Sequence, residues 1–235
     1  MTAEEQKEGR IVLAADELTR ERCLELTRGL GSQLYGVKVH ILVDKHGPNI
    51  IETVKISGAR RVWMDAKLCD NPNTVGRRAK EYKDVGVDIL TVMASGGIEM
   101  MMAAVEKGPS RIYAVTILTS LSEEETSLIY GMPPKAAVLN LARMAKLAGV
   151  HGVVCSPQEV EMLAKRPELK GLEFVVPGIR SAGKDAGDQK RIGTPGATIK
   201  AGAHRLVIGR QLTDAKDPVA ELDAIEGEIA AALAA

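Results

Sequence analysis

At 235 residues the chain has room for one large α/β domain or two small ones, and a composition of 45% hydrophobic and 26% charged residues excludes a disordered chain. Lys plus Arg and Asp plus Glu both number 31, giving a formal net charge of zero, and aromatics are only 3%, so neither a polyanion-binding surface nor a base-stacking platform is expected and the ligand should be small. Cys23, Cys69 and Cys155 are odd in number, far apart and without CxxC spacing, which argues for reduced thiols rather than disulfides or a zinc site.

In chain order, the polar start MTAEEQKEGR lacks the apolar core of a signal peptide, and no later run approaches membrane-spanning length; the expected location is cytoplasmic, with no membrane partner. Short β-rich runs then alternate with longer amphipathic or Ala-rich stretches. The runs are RIVLAAD ending at Asp16, LYGVKV around Lys38, RVWMDAK ending near Lys67, DILTVMA ending at Ala94, IYAVTIL ending near Thr119, GVVCS, LEFVVPG and RLVIGR. Eight such runs, one about every 29 residues, match the α/β class and a (β/α)8 TIM barrel.

Between the runs, helices are expected where start and stop residues bracket a helical pattern. NTVGRRAKEYKDVG begins behind Pro72 and stops at Gly86, and GGIEMMMAAVEKGP ends in Gly108 and Pro109. PPKAAVLNLARMAKLAG is closed by Gly149, and DPVAELDAIEGEIAAALAA is capped by Asp217 with Pro218 in its first turn. The run SEEET, residues 122–126, reads as a capped helix start. With no linker or composition shift, residues 1–235 read as a single barrel domain. An open doubly wound sheet shares the alternation, but its Gly-rich dinucleotide fingerprint does not follow the first run.

In such a barrel, reactive groups sit at the carboxyl ends of the strands. Asp16, Lys38, Asp65 with Lys67, Thr119 and Arg210 interrupt the apolar runs there and would converge on one mouth. Asp65 and Lys67 are two apart, so in a strand both point to one side. Asp70 falls in the following loop. Buried charges persist only as a paired network, and carboxylates alternating with ammonium groups keep Lys38 and Lys67 protonated. Residues 177–210 begin with a Gly-rich connection too long for routine use, as lids often are, and end in VIGR. Loops after the seventh and eighth strands are the usual phosphate site of this fold, and arginine holds phosphate bidentately, so Arg180 and Arg210 point to a phosphorylated small molecule. His40, His46, His151 and His204 lack ligand spacing and read as structural or exposed. The EMMMAAVE run reads as a core-facing helix or dimer surface, and Cys69 as a small apolar filler.

These motifs are similar to those of the orotidine 5'-phosphate decarboxylase family, bacterial-type branch, over nearly the whole chain. DAKLCDNPNTV resembles its DxKxxD-I-P-N-T-V signature, and PGIR…DQKRIGTP…GAHRLVIGR…DP resembles its phosphate-loop block. The resemblance implies conversion of orotidine 5'-monophosphate to uridine 5'-monophosphate and CO2 in de novo pyrimidine synthesis, without metal or organic cofactor. Lys67 would protonate C6, Asp65 and Asp70 would flank it, and Lys38 would complete the array. Asp70 would reach into the neighbouring subunit's site, implying a homodimer with shared active sites. Asp16 and Thr74 would contact ribose hydroxyls, Thr119 the pyrimidine, and Arg180, Gln189, Gly209 and Arg210 the phosphate and the closing loop. Ala15, Cys69, Asn71 and Met93 depart from the family pattern, but none removes a charged member. Magnesium-dependent relatives sharing DxKxxD, a sugar-phosphate decarboxylase or hexulose-phosphate synthase, lack the NTV and DQxR…TP blocks. A non-catalytic phosphate-binding barrel would have no use for the charged array.

Overall fold

The computed structural model describes residues 9–183 and 193–234. Among them, eight strands follow one another around a closed parallel barrel: β1 (Ile11–Ala14), β2 (Gly36–Val39), β3 (Val62–Leu68), β4 (Ile89–Met93), β5 (Arg111–Val115), β6 (Gly152–Val154), β7 (Glu173–Val176) and β8 (Arg205–Ile208). Each of the eight expected runs holds one of these strands, β3 and β5 extending one residue beyond theirs, to Leu68 and from Arg111. The ring closes where Val12 of β1 stands opposite Val207 of β8, which rules out the open doubly wound sheet.

The strands are apolar almost throughout because both of their faces are covered. Ile11 and Leu13 of β1 face outward into the large core shared with the surrounding helices. Val12, between them, faces inward and joins Tyr35, Trp63, Ile89, Tyr113, Val175 and Val207 in a second cluster inside the barrel. Trp63 and Tyr113 meet edge to face there, with ring centroids 5.3 Å apart. This inner layer is the floor on which the site rests. Since alternate residues share a face, the next inward positions above Trp63, Ile89, Tyr113, Val175 and Val207 are Asp65, Thr91, Val115, Pro177 and Gly209.

Below the floor, at the amino-terminal end of the barrel, polar groups fill the interior. Glu173 accepts from Arg111 at 3.2 Å, from Arg205 at 3.3 Å and from the Tyr113 hydroxyl, and the Arg205 guanidinium lies 4.0 Å from the centre of the Tyr35 ring. His151 and His204 are structural, as expected: their Nδ1 atoms accept from Ile112 N and Phe174 N at 3.1 and 3.0 Å.

The anticipated helices form at Pro72–Asp84, Ile98–Lys107, Pro134–Leu147 and Pro218–Ala234. The last is capped by Asp217, whose Oδ1 accepts from Val219 N and Ala220 N. Ser122 and Glu125 form a capping box that opens Glu123–Tyr130. In the methionine-rich helix Ile98–Lys107, Met100 and Met101 are buried and Met102 faces outward.

Where backbones crowd, glycine is obligatory. A Cβ on Gly152 in β6 would stand 2.6 Å from Glu173 O and 3.1 Å from Tyr113 Cδ1. Gly29, exposed in the helix Arg20–Leu30, has nothing within 4 Å of the corresponding position. Urea unfolding is therefore expected to show Gly152→Ala destabilised by about 1–3 kcal/mol through overpacking, and Gly29→Ala stabilised by roughly 0.5–1 kcal/mol through reduced unfolded-chain entropy.

Candidate active site

The charged array begins with an irregularity in β3. Met64 pairs with Leu90 of β4, but the next pair is Leu68 with Val92, so β3 advances four residues while β4 advances two. The surplus bulges at Asp65, Ala66 and Lys67, and Lys67 takes up a φ of 45°, the left-handed region that non-glycine residues seldom adopt. Asp65 and Lys67 do face one cavity, as expected, but through a bulge rather than through regular alternation.

Within the bulge, Asp65 Oδ2 accepts from Lys67 Nζ at 2.8 Å and from Lys38 Nζ at 3.0 Å, while Asp65 Oδ1 accepts from the Thr91 hydroxyl at 2.7 Å. Lys38 also donates to Asp16. Four alternating charges, Asp16, Lys38, Asp65 and Lys67, thus form one chain across β1, β2 and β3. Asp16 Oδ1 is buried without a hydrogen-bond partner among the described residues.

Burial and charge pull against each other here. Burial alone would lower the Lys38 pKa, but the carboxylates of Asp65 and Asp16 outweigh it and hold the ammonium above its ordinary value. Burial would likewise raise Asp65; the Lys38 and Lys67 charges, with hydrogen bonds from Lys67 and Thr91, instead hold it well below the carboxylate range. Both groups are ionised through the neutral range.

The array forms one side of a cavity of about 320 Å³ at the carboxyl end of the barrel, a size suited to a small ligand. Thr119 lines it from the loop after β5, and Arg180, Gly209 and Arg210 from the ends of β7 and β8. Arg180 is buried, with NH1 donating to Ile179 O at 2.7 Å. The base of its loop is pinned by Gly193 N donating to Gly178 O and Arg180 N to Gly193 O. Gln189 lies outside the described residues. Asp70 and Thr74 do not line this cavity: Asp70 is exposed, its Oδ1 accepting from Asn71 N, and Thr74 is half-buried in the first turn of the helix Pro72–Asp84.

Two polar residues that hold this site together escaped the sequence reading. Thr91, fully buried, bonds both Asp65 and the Lys67 backbone; a lone hydroxyl within ILTVM was the available signal. Gln211 ties the two arginine-bearing segments: its Oε1 accepts from Ser181 N, and its Nε2 donates to Ser181 Oγ and Glu221 Oε1, both at 2.8 Å. Nothing in the sequence marked it beyond its place beside Arg210. Among the described residues, no three His, Cys, Asp or Glu side chains are grouped to hold a metal ion.

Because the folded pKa of Asp65 is depressed, its ionisation adds stability that is fully present above the unfolded value near 3.8 and is lost as pH falls toward the folded one. Lys38, raised above 10.5, adds stability that is present below that value and is lost only as pH rises through the folded one. Urea midpoints of the native protein relative to Asp65→Asn should therefore be flat from about pH 5 to 9 and converge below about pH 4.

The sequence profile of the orotidine 5'-phosphate decarboxylase / HUMPS family matches residues 9–225. An orotidine 5'-phosphate decarboxylase of Halorhodospira halophila is 41% identical over 232 residues, covering 95% of this chain and 97% of that protein. One of Anaeromyxobacter dehalogenans is 41% identical over 220 residues, covering 92% and 96%. The crystal structure of the Lactobacillus acidophilus orotidine 5'-phosphate decarboxylase superposes with a TM-score of 0.77 at 30% identity, over 94% of this chain and 99% of that one. Barrel, array and cavity thus coincide with a match running almost end to end, and the chain belongs to the orotidine 5'-phosphate decarboxylase / HUMPS family.

Proposed function

We propose that the protein converts orotidine 5'-monophosphate to uridine 5'-monophosphate and CO2 without a metal or organic cofactor, with Lys67 protonating C6. The observation that carries this reading is the Asp65 carboxylate shared by Lys38 and Lys67 at one side of a cavity that Arg180 and Arg210 also line. When the bond from C6 to the carboxylate breaks, its electron pair stays on C6 in the plane of the ring, where the ring π-system cannot delocalise it. A fixed ammonium at that carbon is the stabilising group needed. Lys67 supplies the positive charge and then a proton: one N–H bond breaks, the C6–H bond forms, CO2 departs, and the neutral amine regains a proton from solvent.

The remaining residues fit parts of the same ligand. Arg180, Arg210 and the Gly209 backbone suit the 5'-phosphate, Thr119 the pyrimidine, and Asp16, whose Oδ1 has no hydrogen-bond partner among the described residues, a ribose hydroxyl. Binding energy from the phosphate, remote from C6, supports the reaction by fixing the ring against Lys67. Gln189 is assigned to the phosphate side on its sequence motif. Asp70 and Thr74, outside this chain's own cavity, are assigned to the site of a second subunit in a homodimer, working in the cytoplasm on a soluble nucleotide.

Native protein is expected to deplete orotidine 5'-monophosphate absorbance with chelator present, and Lys67→Ala to lose at least about 1,000-fold in kcat, since charge stabilisation and the proton go together. Equal rates for the two proteins, or turnover abolished by EDTA, would overturn the assignment; the second result would favour a magnesium-dependent member of the family. Mixing inactive Lys67→Ala with inactive Asp70→Ala protein under conditions of subunit exchange should restore about a quarter of native activity, because half the dimers are mixed and each carries one intact site. No recovery despite demonstrated exchange would confine Asp70 to its own chain.

A further inference from the structure

Thr91 is 0% exposed in the middle of β4, yet its hydroxyl is fully used: it donates to Asp65 Oδ1 at 2.7 Å and accepts from Lys67 N at 3.1 Å. The two bonds constrain different degrees of freedom. A carboxylate rotates readily about its terminal torsion, and Asp65 could turn so that each lysine took a separate oxygen. The Thr91 hydroxyl fixes the carboxylate plane with Oδ1 toward β4, and Oδ2 is thereby turned toward Lys38 at 3.0 Å and Lys67 at 2.8 Å, so the two ammonium groups converge on one atom.

The second bond concerns the backbone. The register shift between Met64 and Leu68 leaves the bulge outside the β3–β4 ladder, and a part-buried N–H without an acceptor is costly. Lys67, at a φ of 45°, also carries a conformation that costs a non-glycine residue about 1 kcal/mol or more. The Thr91 hydroxyl is the acceptor that the ladder does not provide. One side chain therefore fixes both the carboxylate that orients the Lys67 ammonium and the backbone from which that ammonium projects.

We infer that Thr91 is a positioning residue for the proton transfer, holding Asp65 and the Lys67 backbone so that the Lys67 ammonium stands at the reacting carbon. This inference rests on the function proposed above. Thr91 touches no cavity surface itself and acts only through its two neighbours. Valine preserves its shape and its strand preference while deleting the hydroxyl; serine preserves the hydroxyl while deleting the methyl group.

Steady-state kinetics on orotidine 5'-monophosphate should show Thr91→Val reduced about 10- to 100-fold in kcat, as expected for a lost hydrogen bond to a charged group. KM should stay within about threefold because the phosphate contacts are untouched, and Thr91→Ser should recover most of the native kcat. Native kcat in Thr91→Val, an equal fall in both variants, or kcat and KM shifting together would overturn the inference. A crystal structure of Thr91→Val reads the same point without turnover: Asp65 rotated and Lys67 out of the left-handed region would support it, and an unchanged bulge would refute it. Absence of turnover in the native protein would remove the proposed function, while the crystal structure would still decide the role of Thr91.

Discussion

A carboxylate that is 7% exposed stays ionised inside a barrel only if cations and donors replace the water it has lost. Asp65 meets that condition with two ammonium groups and a threonine hydroxyl, and each of these partners is in turn constrained by Asp65. Lys38, 6% exposed, remains charged because Asp65 and Asp16 face it. The contacts run from Asp16 just after β1 through β2 and β3 to Thr91 in β4, so four consecutive parts of the barrel are interlocked by side chains rather than by loops. Deleting one member of such a chain takes from a buried neighbour one of the two opposite charges that compensate it, and the other must then carry that burden alone. Groups mounted on strands above a packed aromatic floor hold their geometry better than groups on loops.

The opposite side of the cavity is built on another principle. Arg180 and Arg210 come from segments that leave β7 and β8, and Gln211, next to Arg210, ties the two segments together through Ser181 and anchors them to Glu221 of the last helix. Rigid strands carry the alternating charges, and hydrogen-bonded loop bases carry the arginines. For the proposed reaction this division is chemically sensible. The proton donor must be fixed to within a fraction of an ångström, whereas a group that admits and releases a phosphate benefits from mounts that can adjust.

Much of this was legible in the sequence because the relevant signals are local. Apolar runs bounded by helix start and stop residues located all eight strands, and charges at the ends of those runs located Asp16, Lys38, Asp65, Lys67 and Arg210 at one mouth. What escaped depends on pairing between distant segments. The bulge is a mismatch between β3 and β4, and neither strand alone announces it. Thr91 matters because that mismatch brings it level with Lys67 N, and Gln211 because β8 returns beside the loop of β7. Periodicity argued that Asp65 and Lys67 share a face; the face is shared, but a strand that departs from periodicity delivers it.

The same departure explains why the signature DAKLCD is not a single cluster in space. Asp65 and Lys67 turn inward at the bulge, and Leu68 then re-enters the β3–β4 ladder with its side chain buried in the helix-facing core. From there the chain leaves the strand, and Cys69 and Asp70 emerge exposed, with Pro72 already beginning the next helix. Two residues, Leu68 and Cys69, therefore separate a lysine that lines this chain's cavity from an aspartate that does not. Asp70, exposed in the short segment between β3 and the helix that begins at Pro72, carries no desolvation cost in this chain alone and is accessible to a second copy, which is the assignment proposed for it above.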